Sequence, residues 1–216
     1  VSAAAARLAA GGAQLGVPLD EAQVAKLLRL SAELLRWNQA YNLTAITDPD
    51  EVLTHHLLDS LSAHPDLAGQ QIADVGTGAG FPGLPLAVVN PGRRFTLIDA
   101  VDKKLRFIAH AARELGLANV ATSHARVEGM QPPQAFDTVI ARAFAPLPRM
   151  LELVAPLCGT ATSVIAMVGR WPVREGAEAM SVSGEDSVPA GWRLLRQRRV
   201  QVPGLEAERH ILLLSR

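Results

Sequence analysis

The chain reads as α/β: a mostly parallel seven-stranded sheet with an antiparallel C-terminal hairpin and a small N-terminal helical cap. Three observations predict this. From residue 69 onward, short apolar runs alternate with helix patterns, as a βα array requires. The turn after the first run carries Gly76, Gly78 and Gly80, one at every second position. Two last strand-like runs flank Pro203-Gly204, which suits a hairpin on the edge of the sheet.

A length of 216 residues fits one substantial domain with an appendage. We place the cap at residues 1–68 and the core at 69–216. Hydrophobic content of 49% with 19% charge describes a soluble globular protein. The longest apolar stretches are too short to span a membrane. Residues 1–10 are alanine-rich without a basic start and leucine-rich core, so no signal peptide is expected. Cys158 is the single cysteine, which excludes an internal disulfide, argues against a zinc cluster and fits a reducing cytoplasm. Net charge is zero, but its distribution is uneven. Residues 1–70 carry 4 basic and 8 acidic side chains, residues 71–170 carry 10 and 7, and residues 187–216 carry 6 and 2. A local basic face is therefore compatible with a neutral protein.

Residues 20–38 form an amphipathic helix, with Val24, Leu27, Leu28, Leu34 and Leu35 at helical spacing and Asp20 as N-cap. Trp37-Asn38-Gln39-Ala40-Tyr41-Asn42-Leu43-Thr44 ends it with turn-prone polar residues around aromatics. Asp48-Pro49-Asp50-Glu51 opens a second helix over about 50–63. That helix carries His55, His56 and Asp59. His55 and Asp59 lie one helical turn apart, but with no cysteine nearby a helix cap or interdomain contact outweighs a metal site. His64-Pro65-Asp66 and Gly69 mark the join to the core.

In the core, strands are predicted near 71–75, 94–99, 119–123, 136–141 and 162–168. A Pro-led helix runs over about 82–90. Asp102 caps a helix over 103–115 that Gly116 ends. Another helix covers about 148–157. Residues 170–190 read as a loop with one short helix at 175–180. The hairpin strands cover about 192–202 and 208–215.

The run Asp74-Val75-Gly76-Thr77-Gly78-Ala79-Gly80-Phe81-Pro82-Gly83 is the chemical focus. It lacks the Gly-Lys-Ser/Thr of a P-loop. Its third glycine also comes one residue too early for the usual dinucleotide fingerprint. The compact Asp-x-Gly-x-Gly-x-Gly resembles motif I of the class I S-adenosylmethionine (SAM) methyltransferases. A plain strand-to-helix turn is the competing reading, and the strand order behind it favours SAM. Open α/β sheets bind ligands at the carboxyl ends of their strands. There, Asp99 is placed to accept ribose hydroxyls, against the alternative of an acid at a helix start. Arg126-Val127-Glu128 could read an adenine edge or be a surface loop with a local ion pair. Arg142, at the end of strand four, lies where a methyl acceptor must sit.

Strand four ends in Ala141-Arg142-Ala143-Phe144, without the Asn/Asp-Pro-Pro-Tyr/Phe of amino-group methylases. Cys158 lies in the wrong element to be the nucleophile of a C5-pyrimidine methylase. An acceptor with a ready lone pair needs neither device, and guanine N7 is such an atom. Its methylation needs chiefly orientation. Arg193, Arg196, Arg198 and Arg199 suit a phosphate track, or equally a charged edge strand.

Together these residues resemble one family, the bacterial 16S rRNA guanine-N7 methyltransferases of the GidB/RsmG type. The resemblance runs from about residue 20 to 213. It rests on Trp37-Asn38…Asn42-Leu43-Thr44, His56-x-x-Asp59-Ser60, the glycine run, Phe136-Asp137…Ala141-Arg142-Ala143 and Glu208-Arg209-His210. It implies a Rossmann-like fold, SAM contacts at Gly76, Phe81, Val127, Glu128 and Arg142, and guanine 527 of 16S rRNA as substrate. One departure stands out. The family usually has a lysine before the glycine after strand five, where this chain has Val168-Gly169-Arg170. Residues 1–19 lie outside the resemblance, and whether they are ordered or mobile is left open by the sequence.

The expectation is thus a cytoplasmic, monomeric SAM-dependent enzyme acting on 16S rRNA or the small ribosomal subunit, without metal or membrane. Asp74, Gly76, Thr77, Gly78, Phe81, Asp99, Val127 and Glu128 hold the cofactor, and Arg142 bridges cofactor and guanine as the catalytic residue. The alternatives are another RNA or small-molecule acceptor, or a SAM-binding RNA module without catalysis.

Overall fold

The computed structural model describes residues 2–142, 145–171 and 188–216. The short helix expected at 175–180 lies outside them. Helices α1 (Ala3–Gln14) and α2 (Glu21–Tyr41) come first. They are followed by α3 (Pro49–Glu51), a π-helical stretch (Val52–Leu58) and α4 (Asp59–Leu61). The core then alternates β1 (Gln71–Val75), α5 (Gly83–Val89), β2 (Arg94–Asp99), α6 (Asp102–Glu114), β3 (Val120–His124), β4 (Phe136–Arg142), α7 (Leu147–Val154) and β5 (Cys158–Val168). Strands β6 (Arg193–Val200) and β7 (Arg209–Ser215) end the chain.

The seven strands form one sheet in the order β3-β2-β1-β4-β5-β7-β6. The first five are mutually parallel, and β7 runs antiparallel to both β5 and β6. The chain order reverses between β1 and β4, and ligands of such sheets bind in the crevice outside the carboxyl ends at that reversal.

Alternate residues of each strand serve opposite faces. Ile72, Phe95, Leu97, Ile140 and Ile165 join α2, α5 and α6 in one apolar cluster. Ala73, Val75, Ile98, Val139, Val164 and Ala166 pack with α7 on the other face. The first cluster also holds Leu8, Leu27, Leu30, Leu34 and Leu57, so the N-terminal helices share their core with the sheet.

Three local features differ from the sequence expectation or go beyond it. The N-terminus, left open by the sequence, is a helix. Ser2 accepts from the Ala5 amide as N-cap, and Leu8 is fully buried. Contact is close, since a Cβ on Gly11 would lie 2.7 Å from Leu58 Cδ1. Second, the helix over 50–63 is π-helical in its middle, with i→i+5 hydrogen bonding. His55 and Asp59, four residues apart, remain about one turn from each other. Third, α6 is capped differently. Val101 occupies the N-cap without a side-chain bond, Asp99 Oδ1 accepts its amide at 2.9 Å, and Asp102 instead pairs with Arg106.

The packing of α1 is testable. Truncating a fully buried leucine costs the transfer energy plus a cavity term, about 2–5 kcal/mol. Leu8→Ala is expected to lower the urea midpoint accordingly, while Arg7→Ala, at an exposed ion pair with Asp50, leaves it nearly unchanged.

Candidate active site

Two clefts open at the carboxyl edge of the parallel strands, one on each side of the reversal. The first has a volume of about 390 Å³ and is formed by Val75, Gly76, Ile98, Asp99, Ala100, Lys104, Ala125–Glu128 and Leu153. The second, of about 380 Å³, is formed by Ile46, His55, His56, Asp59, Arg142, Met167, Val168, Gly169 and Arg209.

The first cleft is built by the glycine turn. Gly76, Gly78 and Gly80 all have positive φ, at 64°, 61° and 89°. L side chains rarely adopt such angles, so the turn could not be made otherwise. Beneath it, Asp74 is fully buried. Its Oδ2 accepts from Thr77 Oγ1 at 2.6 Å and from the Gly83 amide at 2.7 Å, joining both ends of the turn to the strand. Gly83 has to be glycine for this, because a Cβ there would lie 2.7 Å from the same oxygen and 2.8 Å from Leu97 Cγ. Burial pushes the Asp74 carboxyl up to about 6, with the two hydrogen bonds and the Arg142 charge acting in the opposite direction. Its Oδ1 is buried without a partner.

Asp99 closes the side of this cleft. Oδ2 accepts the Gly78 amide at 2.9 Å and has Lys104 Nζ at 3.8 Å, while Oδ1 accepts the Val101 amide. A carboxylate has about four lone-pair positions, so capacity remains for hydroxyl donors. Val127 is buried and Glu128 exposed on the opposite wall, in a 3₁₀ turn (Val127–Gly129). These groups suit the expected cofactor. Asp99, in the wall, matches a diol. Of the other residues expected to hold the cofactor, Asp74, Thr77, Gly78 and Phe81 lie outside the wall, with Asp74 enclosed beneath the turn. Thr77 is buried on Asp74, and the Phe81 ring stacks on His56 with centroids 4.7 Å apart and an interplanar angle of 19°.

The second cleft is organised by Asp59, whose side chain is only 2% exposed. Oδ2 accepts from Arg142 Nη1 at 3.0 Å, and Oδ1 accepts from Arg209 Nε at 3.0 Å. Arg142 Nη1 also donates to the His55 carbonyl at 3.0 Å. One acid thus serves two arginines and leaves a net positive charge at the cleft. Both carboxylate oxygens are taken by guanidinium groups. Asp59 thus ties α4 to the ends of β4 and β7. His56 Nε2 lies 2.9 Å from Thr44 Oγ1. Burial, with help from the Arg142 charge, lowers its pKa to about 4, so the imidazole is neutral near pH 7. Val168, where the resemblance leads one to expect lysine, forms part of this wall.

The arginine run on β6 is largely spent on internal contacts. Arg196 and Arg198 both pair with Asp66, whose side chain is 1% exposed, and Arg198 also donates to the Ser62 carbonyl at 2.8 Å. Arg199 pairs with Glu208. A register shift between Leu194 and Arg196 leaves Leu195 unpaired and exposed. Cys158 lies at the start of β5, on the edge of the sheet away from both clefts. Its thiol donates to the Val154 carbonyl, and burial pushes its pKa up to about 12. A thiolate nucleophile is therefore excluded at neutral pH. Among the described residues, no group of three or more His, Cys, Asp or Glu could hold a metal. Ala143 and Phe144, which follow Arg142, lie outside the described residues.

Sequence reasoning missed Lys104, Ala125 and Leu153 in the first cleft, and Ile46 and Met167 in the second. None sits in a distinctive pattern, and only the strand order brings them together.

Residues 23–189 match the family model described as GidB, rRNA small subunit methyltransferase G. The protein named ribosomal RNA small subunit methyltransferase G from Azoarcus sp. (strain BH72) is 44% identical over 98% of this chain and 96% of its own length. Its namesake from Stutzerimonas stutzeri (strain A1501) is also 44% identical, over 98% and 95%. Among solved structures, a SAM-dependent methyltransferase from Aquifex aeolicus aligns with a TM-score of 0.54 at 17% identity, over 78% of this chain and 94% of that one. A SAM-dependent methyltransferase from Thiobacillus denitrificans in complex with S-adenosyl-L-homocysteine aligns with a TM-score of 0.52 at 13% identity, over 85% and 97%. At such identities the structural likeness establishes the fold.

Asp59→Asn tests the arginine clamp. Hydrogen bonds to charged groups contribute about 1.5–3 kcal/mol each, and the amide keeps only one acceptor for two guanidinium groups. Urea unfolding is expected to show a loss in that range.

Proposed function

The chain belongs to the GidB family, rRNA small subunit methyltransferase G, and from that premise we propose that it methylates N7 of guanine 527 in 16S rRNA. It is a SAM-dependent methyltransferase. The observation that carries the acceptor reading is the pairing of two clefts across the β1/β4 reversal, one suited to a donor and the other cationic.

When bound, SAM supplies an electrophilic methyl on a positively charged sulfur. We assign its binding to Asp74, Gly76, Gly78, Asp99, Val127 and Glu128. The carboxylate of Asp74 offers Oδ1 to its cationic end. Asp99 accepts from its ribose. Thr77 and Phe81 act one step removed, by holding Asp74 and by backing His56. Guanine N7 carries its own lone pair, so no general base is needed, and the protein contributes orientation. Arg142 lines the second cleft at the end of β4. Asp59 fixes its guanidinium, whose fork can donate to O6 of a guanine whose N7 faces the donor. A small-molecule acceptor fits less well, because the second cleft is walled by histidines, arginines and an acid. The reading includes a cytoplasmic monomer working without metal on rRNA or an assembled subunit, with residues 1–68 as a cap over the acceptor side. No helix of the described residues is long and apolar enough to cross a membrane.

Tritiated-methyl transfer to small subunits from a strain lacking the enzyme, with the modified base mapped, tests this. Label on guanine N7 is expected, and label on adenine or cytosine would overturn it.

The Asp74 assignment makes a pH prediction. Without cofactor, its carboxyl is protonated below about 6. A cation beside it favours the ionised form, so binding releases a proton there. SAM affinity is expected to fall as pH drops through 6, by up to about tenfold per unit below it. Calorimetry in two buffers of different ionisation enthalpy reads the released proton directly. An affinity flat from pH 7 to 5 would remove Asp74 from the cation contact.

A further inference from the structure

The Trp37 to Thr44 motif has a structural part and a remainder. Asn38 accounts for the structural part. Its Oδ1 accepts the Leu43 and Thr44 amides, and its Nδ2 donates to the Thr44 carbonyl at 2.9 Å. The turn passes through Asn42 at φ 48° and buries Leu43. Trp37 is backed by Phe107, with centroids 5.7 Å apart, and by His110 at 4.9 Å.

Tyr41 is the remainder. Its ring stacks on Trp37 with centroids 5.1 Å apart and an interplanar angle of 29°, yet the residue is 40% exposed. Among the described residues only three large hydrophobic side chains are exposed: Tyr41, Val101 and Leu195. The strand irregularity at Leu194/Arg196 explains Leu195. The other two converge. Lys103 Nζ donates to the Tyr41 carbonyl at 2.8 Å, and Val101 precedes Lys103 by two residues at the start of α6. This is the rim of the donor cleft, since Ala100 and Lys104 form part of its wall. From Tyr41 the chain continues to Thr44, which holds His56, and to Ile46 in the wall of the acceptor cleft. An exposed, rigidly backed aromatic residue thus bonds through its carbonyl to a lysine with no acidic partner among the described residues, close in sequence to residues that line each cleft.

We propose that Tyr41, supported by Trp37 and flanked by Lys103 and Val101, is a stacking platform for an unpaired RNA nucleotide beside the target base. Base–aromatic stacking tolerates any base, because every base has a π-face. Lys103 supplies the charge for the adjoining phosphate. The occupant is RNA because an aromatic face with an adjacent cation matches a nucleotide. The inference rests on RNA being the acceptor.

The test separates KM from kcat with small subunits as substrate. Tyr41→Ala is expected to raise KM about five- to 150-fold, the usual range for loss of one stacked base. Turnover at saturation and SAM affinity stay near wild type, and Tyr41→Trp restores KM. Lys103→Glu, a change at the surface that leaves the aromatic packing alone, is expected to raise KM and to lessen its dependence on salt. It decides the matter if Tyr41→Ala fails to fold. Photocrosslinking from Tyr41→p-benzoylphenylalanine should reach rRNA. An unchanged KM in Tyr41→Ala or Lys103→Glu, a Tyr41→Trp no better than alanine, or crosslinks only to a ribosomal protein or a second copy of the chain, would overturn the proposal. Failure of the wild-type enzyme to methylate guanine would instead count against the function itself.

Discussion

A single buried carboxylate, Asp74, sets the geometry from which the donor site follows. It sits at the end of the central region of the sheet, where β1 is flanked on both sides. One oxygen gathers the Thr77 hydroxyl and the Gly83 amide, which fixes where the turn starts and where α5 begins. The turn in turn presents the Gly78 amide to Asp99, linking the ends of β1 and β2. Burying an acid is costly unless it is bonded or protonated. Burial raises the Asp74 pKa, and its second oxygen stays without a partner beneath the turn.

The helical segment is held to the sheet by apolar packing and by two similar polar clamps. Asp59 binds Arg142 and Arg209, and Asp66 binds Arg196 and Arg198. In each, a nearly inaccessible acid from the N-terminal third meets two arginines from the sheet. Each cluster keeps one more positive than negative charge. A neutral protein can in this way place a cationic patch at its reactive edge, and Val168 in place of a lysine is compatible with it.

Much of this was legible in the sequence. The alternation from residue 69 gave the five parallel strands, Pro203-Gly204 marked the closing hairpin, and the glycine run marked the positive-φ turn after β1. Asp59 read as a hydrogen-bonded contact and not as a metal ligand, but its two arginine partners were not visible. What stayed hidden depends on distant residues. The π-helix has no Gly or Pro to mark it. Its register answers to contacts with α1, Arg142 and Phe81. The arginines of β6 looked free because Asp66 lies about 130 residues earlier. Tyr41 and Trp37 are four residues apart in one motif, yet Trp37 is half-buried against the core and Tyr41 is exposed. No local pattern distinguishes them.

The central claim is that the cofactor lies against the Gly76 turn, between Asp99 and the Val127 wall, with its reactive end toward Arg142. A crystal structure of the protein with S-adenosylhomocysteine measures this most directly. The account predicts the ribose on Asp99, the adenine by Val127, and the sulfur facing the cleft formed by Arg142 and Arg209. Density for the ligand elsewhere, or with its sulfur turned away from Arg142, would contradict it.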